Sequence, residues 1–282
     1  MTTGLEALLF DVDGMLADTE DFHRQAFNLA FVDAGLDWSW DQDLYKALLG
    51  VTGGKERIRH YLDGYLPDID MPDAEIARLH ARKTDFYTGM LADGRVVLRP
   101  GVERLMQEAL EAGLRLGITT TTTPANVTAL LQHSFACDTG GWFDVIAAGG
   151  IVPQKKPAPD IYYHALAQMA LAPGQCLAFE DSENGVLSAR GAGIDAIVVT
   201  VNDYTRDHDF AGASFHPDTD ELMATYYVGD RMRMVRELQQ GGLLDPGGKL
   251  AKQKKGTGKR QRPRFGTKEL KRRQKDRKRN AK

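Results

Sequence analysis

Leu5-Glu6-Ala7-Leu8-Leu9-Phe10-Asp11-Val12-Asp13-Gly14 decides how this chain is read. Residues 5–10 form a short apolar run, the length and character of a buried strand. It ends on two carboxylates at i and i+2, followed by a glycine. In open α/β sheets ligands bind beyond the carboxyl ends of the strands, so both acids are expected in the crevice. Paired carboxylates there suit a hard cation such as Mg2+. They equally suit a division of labour between nucleophile and proton donor. Asp-x-Asp-Gly also occurs in turns and calcium loops, so the motif alone leaves these readings open.

Working outward, short apolar runs recur at 114–119, 145–147, 177–179 and 196–199, separated by helical spacing at 102–111 and 161–170. Alternating strands and helices predict a mostly parallel, Rossmann-like sheet with right-handed crossovers. About 100 residues separate the first two strands, far more than one crossover needs. Most of that gap, 18–91, has helical spacing, clearest at 23–34 and 73–87. The expected division is an α/β core of 1–17 and 92–240, an inserted helical cap of 18–91, and a flexible linker with a basic tail at 241–282.

The total charge of -3 conceals a strong asymmetry. Residues 249–282 hold 17 Lys/Arg against Glu269 and Asp276, which leaves 19 basic and 37 acidic residues in 1–248. An acidic body of about -18 therefore carries a tail of about +15. The tail's few large apolar residues, Leu250, Phe265 and Leu270, are too sparse to repay ordering, so it is expected to be disordered. Composition is otherwise that of a globular enzyme, 42% hydrophobic and 27% charged. No run approaches the roughly 20 apolar residues of a membrane span. The start, MTTGLEALLF, lacks a basic leader and a small-residue cleavage site, so no secretory signal is expected. Cys137 and Cys176 form neither a disulfide framework nor a zinc pattern.

Three further motifs follow predicted strands. Ile118 runs into Thr119–Thr123, whose hydroxyls and N–H groups, beside the next helix start, can hold phosphate oxygens. A β-branched strand entering a helix cap near Pro124 would look the same. Lys155-Lys156-Pro157 precedes a helix, where a lysine can neutralise a phosphoryl group or simply be solvated. Glu180-Asp181 directly follows the run at 177–179 and is expected to meet Asp11 and Asp13 across the crevice. So many carboxylates would repel one another without a divalent cation.

Four such motifs in this order, each at a strand end, resemble the haloacid dehalogenase superfamily of phosphoryl-transfer enzymes over about residues 5–240. The resemblance implies that Asp11 attacks phosphorus to form an aspartyl-phosphate. Asp13 would protonate the leaving oxygen and then activate water. Thr120, with a one-residue slip to Thr119 or Thr121 left open, the N–H of Thr121, and Lys156 would hold the phosphoryl oxygens. Mg2+ would sit among Asp11, the backbone carbonyl of Asp13, and Asp181, with Glu180 in support. Met15 stands where the family commonly has Thr or Val, which touches cap fit rather than chemistry.

In the predicted cap, Gly53-Gly54-Lys55 permits close backbone approach beside a positive charge, with Arg57 and Arg59 following. This is either a second anion pocket or a glycine turn capping a solvated basic helix. Glu20 and His23 lie three apart and share a helix face. Asp18-Thr19-Glu20…His23 with Thr52-Gly53-Gly54-Lys55-Glu56-Arg57 resembles the CbbY-type sugar phosphatases, which dephosphorylate xylulose-1,5-bisphosphate, an inhibitor of Rubisco. Trp38 and Trp40 fit that resemblance and fit cap packing equally. By resemblance Glu20, His23, Gly54, Lys55 and Thr121 become substrate-binding candidates, in a monomeric cytoplasmic enzyme acting on a small sugar phosphate and away from membranes. A sugar phosphomutase similar to β-phosphoglucomutase would share the core residues. A polyanion- or RNA-binding protein acting through the basic tail is the alternative from another class.

Overall fold

The computed structural model describes residues 4–135 and 141–214, all within the unit Met1–Leu250. The tail at 249–282, the disorder expected of it, and Cys137 lie outside the described residues. Five strands form one parallel sheet: β1 (Ala7–Phe10), β2 (Arg115–Thr120), β3 (Phe143–Ala148), β4 (Cys176–Glu180) and β5 (Ile197–Val199), in the order β3-β2-β1-β4-β5. The strand carrying Asp11 is thus central. Its neighbours are the strands that end in the threonine run and in the acidic pair.

Register sets the site. Phe10 lies beside Ile118 on β2 and Phe179 on β4, so Asp11, Thr119 and Glu180 stand at one level along the sheet's carboxyl edge. Side chains alternate between two apolar layers. Leu8, Phe10, Leu116, Ile118 and Phe179 face one layer, with Val102 and Met106 of α5 (Val102–Glu111) and Val127 of α6 (Pro124–His133). Ala7, Leu9, Ala178 and Val199 face the other, with Ile161 and Ala165 of α7 (Asp160–Met169) and Val186 of α8 (Glu183–Gly191). Burial on both faces explains why these strands read as continuous apolar runs.

Between β1 and α5 lie α1 (Glu20–Asp33), α2 (Gln42–Leu48), α3 (Gly54–Tyr65) and α4 (Asp73–Ala92). They enclose an aromatic cluster of their own, in which Trp40 meets Phe27 at 4.7 Å, Phe31 at 4.9 Å and Tyr61 at 5.3 Å. Trp38 packs in the same cluster, so both tryptophans are packing residues here. α4 runs five residues past the predicted stretch because Met90 and Leu91 are buried against the sheet's first apolar layer. Gly53, with φ of +98°, turns the chain into α3. Among the described residues no helix is long and apolar enough to cross a membrane.

Candidate active site

The carboxyl ends of β1, β2 and β4 open into a cleft of about 780 Å³, walled on the far side by α1, α3 and α4. Asp11, Asp13, Glu20, His23, Gly54, Lys55, Thr120, Thr121, Lys156 and Asp181 all line it. Glu180, fully buried, stands behind them.

Lys156 is the hub of the strand-end cluster. Its Nζ donates to Asp11 Oδ1 at 2.9 Å and to Glu180 Oε1 at 2.6 Å, and the Tyr162 hydroxyl also donates to Glu180 Oε1. Burial opposes its charge, yet the charges of Asp11 and Glu180 raise the Lys156 pKa above its ordinary value. The carboxyls respond in the opposite sense to what ionisation needs. Burial pushes Glu180 up to about 7 against the pull of Lys156, and lifts Asp11 in the same way. Asp181 is raised well above the carboxylate range by burial, then by the charges of Asp11, Glu20 and Glu180.

Carboxylate oxygens of Asp11, Glu180 and Asp181 lie within 4.8 Å of one another, and Glu180 Oε2 is buried without a hydrogen-bond partner. Gly14, at φ +76°, leaves the space Asp181 occupies: a Cβ there would stand 1.9 Å from Asp181 Oδ2. All-oxygen donors, an orphaned buried oxygen and crowded acids that resist ionising fit a hard divalent cation such as Mg2+.

Asp13 behaves differently from expectation. Its carboxylate does not join the acidic pair. Its Oδ1 accepts from Thr19 Oγ1 at 2.8 Å and lies 2.8 Å from His23 Nε2. Any metal contact from Asp13 is therefore left to its backbone carbonyl. Burial works against ionising Asp13, but the charge and hydrogen bond of His23, with Thr19 and Lys83, hold its carboxyl well below the usual range. His23 Nδ1 in turn lies 2.6 Å from Lys83 Nζ. With Lys83 charged, Nδ1 accepts and Nε2 carries its proton toward Asp13; with Lys83 neutral, the imidazole can hold both protons and bring its own charge to Asp13. Lys83 is buried over Phe27 and Tyr87, and that burial brings it down to about 7.

Within the threonine run, Thr120 is buried at the cleft floor with Oγ1 accepting from Thr122 N at 3.2 Å, and Thr121 is half-buried beside it. Thr119 is wholly buried and does not line the cleft. Thr123 caps α6, placing that helix's first N–H groups at the same rim. Across the cleft, Glu20 Oε2 accepts from the Tyr45 hydroxyl at 3.1 Å, and burial raises its carboxyl. Lys55 is exposed to the cleft. Arg57 lines it too, braced by the Tyr45 hydroxyl at 2.9 Å. Arg59 instead bonds Met71 O and Asp73, tying α3 to the start of α4.

Lys83 and His80 of α4 and Asn202 after β5 were not singled out from sequence, and Lys155 was quoted without a role. Lys155 Nζ reaches Glu56 Oε1 at 2.6 Å, linking the loop after β3 to α3. His80 and Lys83 share a face of α4 with the small cleft-lining residues Ala77, Ala81 and Thr84, the one signal available for them.

Comparison with known proteins agrees with this geometry. The haloacid dehalogenase-like hydrolase family matches residues 5–193. CbbY from Rhodobacter capsulatus is 51% identical over 217 residues, 76% of this chain and 93% of that protein. The structure of CbbY from Rhodobacter sphaeroides in complex with phosphate has a TM-score of 0.72 at 46% identity, over 76% of this chain and 94% of that one. A variant of the same protein in complex with xylulose-(1,5)bisphosphate gives a TM-score of 0.72 at 45% identity, with the same coverage. This chain belongs to the haloacid dehalogenase-like hydrolase family, in its CbbY group.

Proposed function

We propose that the chain is a Mg2+-dependent sugar-phosphate phosphatase that works through an aspartyl-phosphate on Asp11, with xylulose-1,5-bisphosphate as substrate. One observation carries this reading. A single cleft joins the Asp11–Lys156 cluster to a second set of cations, Lys55, Arg57 and Lys155, so a molecule with two anionic ends has a counter-charge for each. The bisphosphate bound by the CbbY variant has that form. Residues 18–91 act in this reading as the cap that selects the sugar.

Asp11 supplies the nucleophile. Lys156 holds its Oδ1 and so fixes the direction of its other oxygen. As the carboxylate attacks phosphorus, Lys156, Thr120 and the N–H of Thr121 receive the phosphoryl oxygens. Removing one such preorganised donor costs about 10²–10³ in rate. Asp13, protonated through the His23–Lys83 pair it bonds, hands that proton to the departing sugar oxygen and then, as a carboxylate, takes one from the water that splits the acyl phosphate. The pairing of Asp13 with His23 and Thr19 favours the ionised form required by that second half. Asp11, Asp181 and the Asp13 carbonyl, supported by Glu180, would hold Mg2+, whose charge offsets the repulsion between carboxylate and phosphate.

The test is Mg2+-dependent phosphate release from a sugar-phosphate panel that includes xylulose-1,5-bisphosphate and β-glucose 1-phosphate, with Asp11→Asn as control. Release from the bisphosphate, abolished in Asp11→Asn, is expected. Interconversion of sugar phosphates without net phosphate release would replace the phosphatase with a mutase.

A further inference from the structure

Asn202 stands outside all four strand-end motifs, in the turn after β5, yet its side chain is buried and engaged at both ends. Its amide Nδ2 donates to Asp181 Oδ2 at 2.9 Å. Its Oδ1 accepts two backbone N–H groups, those of Tyr204 at 2.9 Å and Thr205 at 3.0 Å, and its own N–H donates to Thr205 Oγ1 at 3.2 Å. This closed Asx-type turn fixes the direction of the residue that follows it.

Tyr204 leaves that turn and enters the aromatic cluster of the inserted helices. Its ring meets Tyr45 of α2 edge-on at 5.7 Å, and its hydroxyl donates to Asp21 Oδ1 of α1 at 2.6 Å. One side chain therefore touches a carboxylate of the acidic cluster at one end and, at the other, the turn that seats an anchor between α1 and α2. Gly14 belongs to the same arrangement: a Cβ on it would stand 2.8 Å from Asn202 Nδ2 as well as 1.9 Å from Asp181 Oδ2. The glycine of the opening motif clears the place where Asp181 and Asn202 meet.

We propose that Asn202 is a positioning residue whose amide orients Asp181 while its carbonyl oxygen holds the turn that seats Tyr204, so that the acidic site and the inserted helices share one anchor. No other side chain of similar size serves both ends. Aspartate lacks the donor for Asp181, leucine lacks every polar atom, and serine caps the turn but falls short of the carboxylate. The inference rests on the phosphatase reading in one respect, that Asp181 is a ligand of the divalent cation.

The experiment uses the full-length protein, Mg2+ alone as probe, and thermal unfolding followed across a Mg2+ titration, with no sugar phosphate present. Asn202→Ser keeps a hydroxyl for the turn and loses the bond to Asp181. Its Mg2+ midpoint is expected to rise about 10- to 100-fold, the usual cost of losing a partner that orients a metal ligand. Tyr204→Phe keeps the ring and loses the bond to Asp21. If the two ends are coupled, its midpoint rises at least about twofold, the lower end for residues in one hydrogen-bond network. A purely structural Asn202 would lower the metal-free melting temperature and leave the Mg2+ midpoint in place, and that result overturns the positioning role. An unchanged midpoint in Tyr204→Phe overturns the coupling. A wild-type protein that Mg2+ does not stabilise overturns the phosphatase reading, and this inference with it, whereas a responsive wild type beside an equally responsive Asn202→Ser overturns the inference alone.

Discussion

In the metal-free protein, the stability of wild type relative to Glu180→Gln should fall by about 3 kcal/mol between pH 4.5 and pH 7. Glu180 is fully buried, and burial moves its carboxyl from its ordinary 4.5 up to about 7, with the charge of Lys156 pulling the other way. At about 1.4 kcal/mol per pKa unit, that rise gives the magnitude. Between the two values the folded chain holds a proton that the unfolded chain has released, so stability declines as pH rises. Below pH 4.5 both states are protonated and the penalty is absent, and above 7 it is complete. His80 titrates in an overlapping range with the opposite sign, because burial holds it near 3 and leaves the folded state neutral where the unfolded state is charged. The raw stability curve therefore mixes slopes of both signs, with the raised carboxyls of Asp11, Glu20 and Asp181 acting in the same sense as Glu180. Subtracting the variant removes His80, which both proteins share. Lys83, brought down to about 7 by burial, acts above the window, where it makes stability rise with pH. Urea unfolding in EDTA at four pH values, followed by tryptophan fluorescence, measures the difference. Saturating Mg2+ should abolish the slope by keeping Glu180 ionised. A difference that stays constant within about 0.5 kcal/mol, or grows with pH, would refute the reasoning.

Two substitutions probe the same cluster by other means. Lys156→Met leaves Asp11 and Glu180 facing each other without their shared cation. Breaking a buried ion pair costs about 3–5 kcal/mol, so urea unfolding should show a large loss of stability beside the roughly 10²–10³ loss of turnover expected for a missing phosphoryl donor. Gly14→Ala places a Cβ at φ +76° and 1.9 Å from Asp181 Oδ2. Left-handed strain alone costs about 1–2 kcal/mol, and phosphate release should fall further than the melting temperature suggests, because Asp181 must move.

The chemistry at the strand ends was legible because topology leaves it little choice. An apolar run that ends on Asp11 has to be a strand, and parallel neighbours in register at Phe10, Ile118 and Phe179 bring the threonines and the acidic pair to its tip. The direction of Asp13 was not legible. Its carboxylate goes to whichever donors the next helix presents, and Thr19 with His23 captures it. Lys83 was hidden for a related reason. α4 carries Arg78, Arg82 and Lys83 within six residues, and only the packing of that helix against Phe27 and His23 of α1, with its own Tyr87 alongside, turns one of the three inward. Lys156, buried and paired with both Asp11 and Glu180, supports fold and turnover together. Asn202 reads in sequence as an ordinary turn residue, because nothing local announces that its amide reaches a carboxylate 21 positions earlier.

An acidic body is an odd host for an anionic substrate, and the cleft explains how the two coexist. At physiological salt, charges more than about 8 Å apart are largely screened. Exposed acids of the inserted helices and their connections, among them Asp37, Asp43, Asp63 and Asp68, do not line the cleft and bear little on a ligand inside it. Within the cleft, Asp11, Asp13, Glu20, Glu56, Asp85 and Asp181 face Lys55, Arg57, Lys83, Lys155 and Lys156. These groups nearly cancel when all are ionised. The cleft's own side chains therefore supply places for two phosphates without a surplus of attraction. Burial raises the carboxyls of Asp11, Glu20 and Asp181, so full ionisation of the cleft's acids is disfavoured without a counter-charge. A divalent cation held by Asp11 and Asp181 would tip the balance to positive at the nucleophile, where the phosphate must approach a carboxylate. Metal binding should accordingly precede tight binding of the sugar phosphate, and the near-neutral cleft is the physical reason for that order.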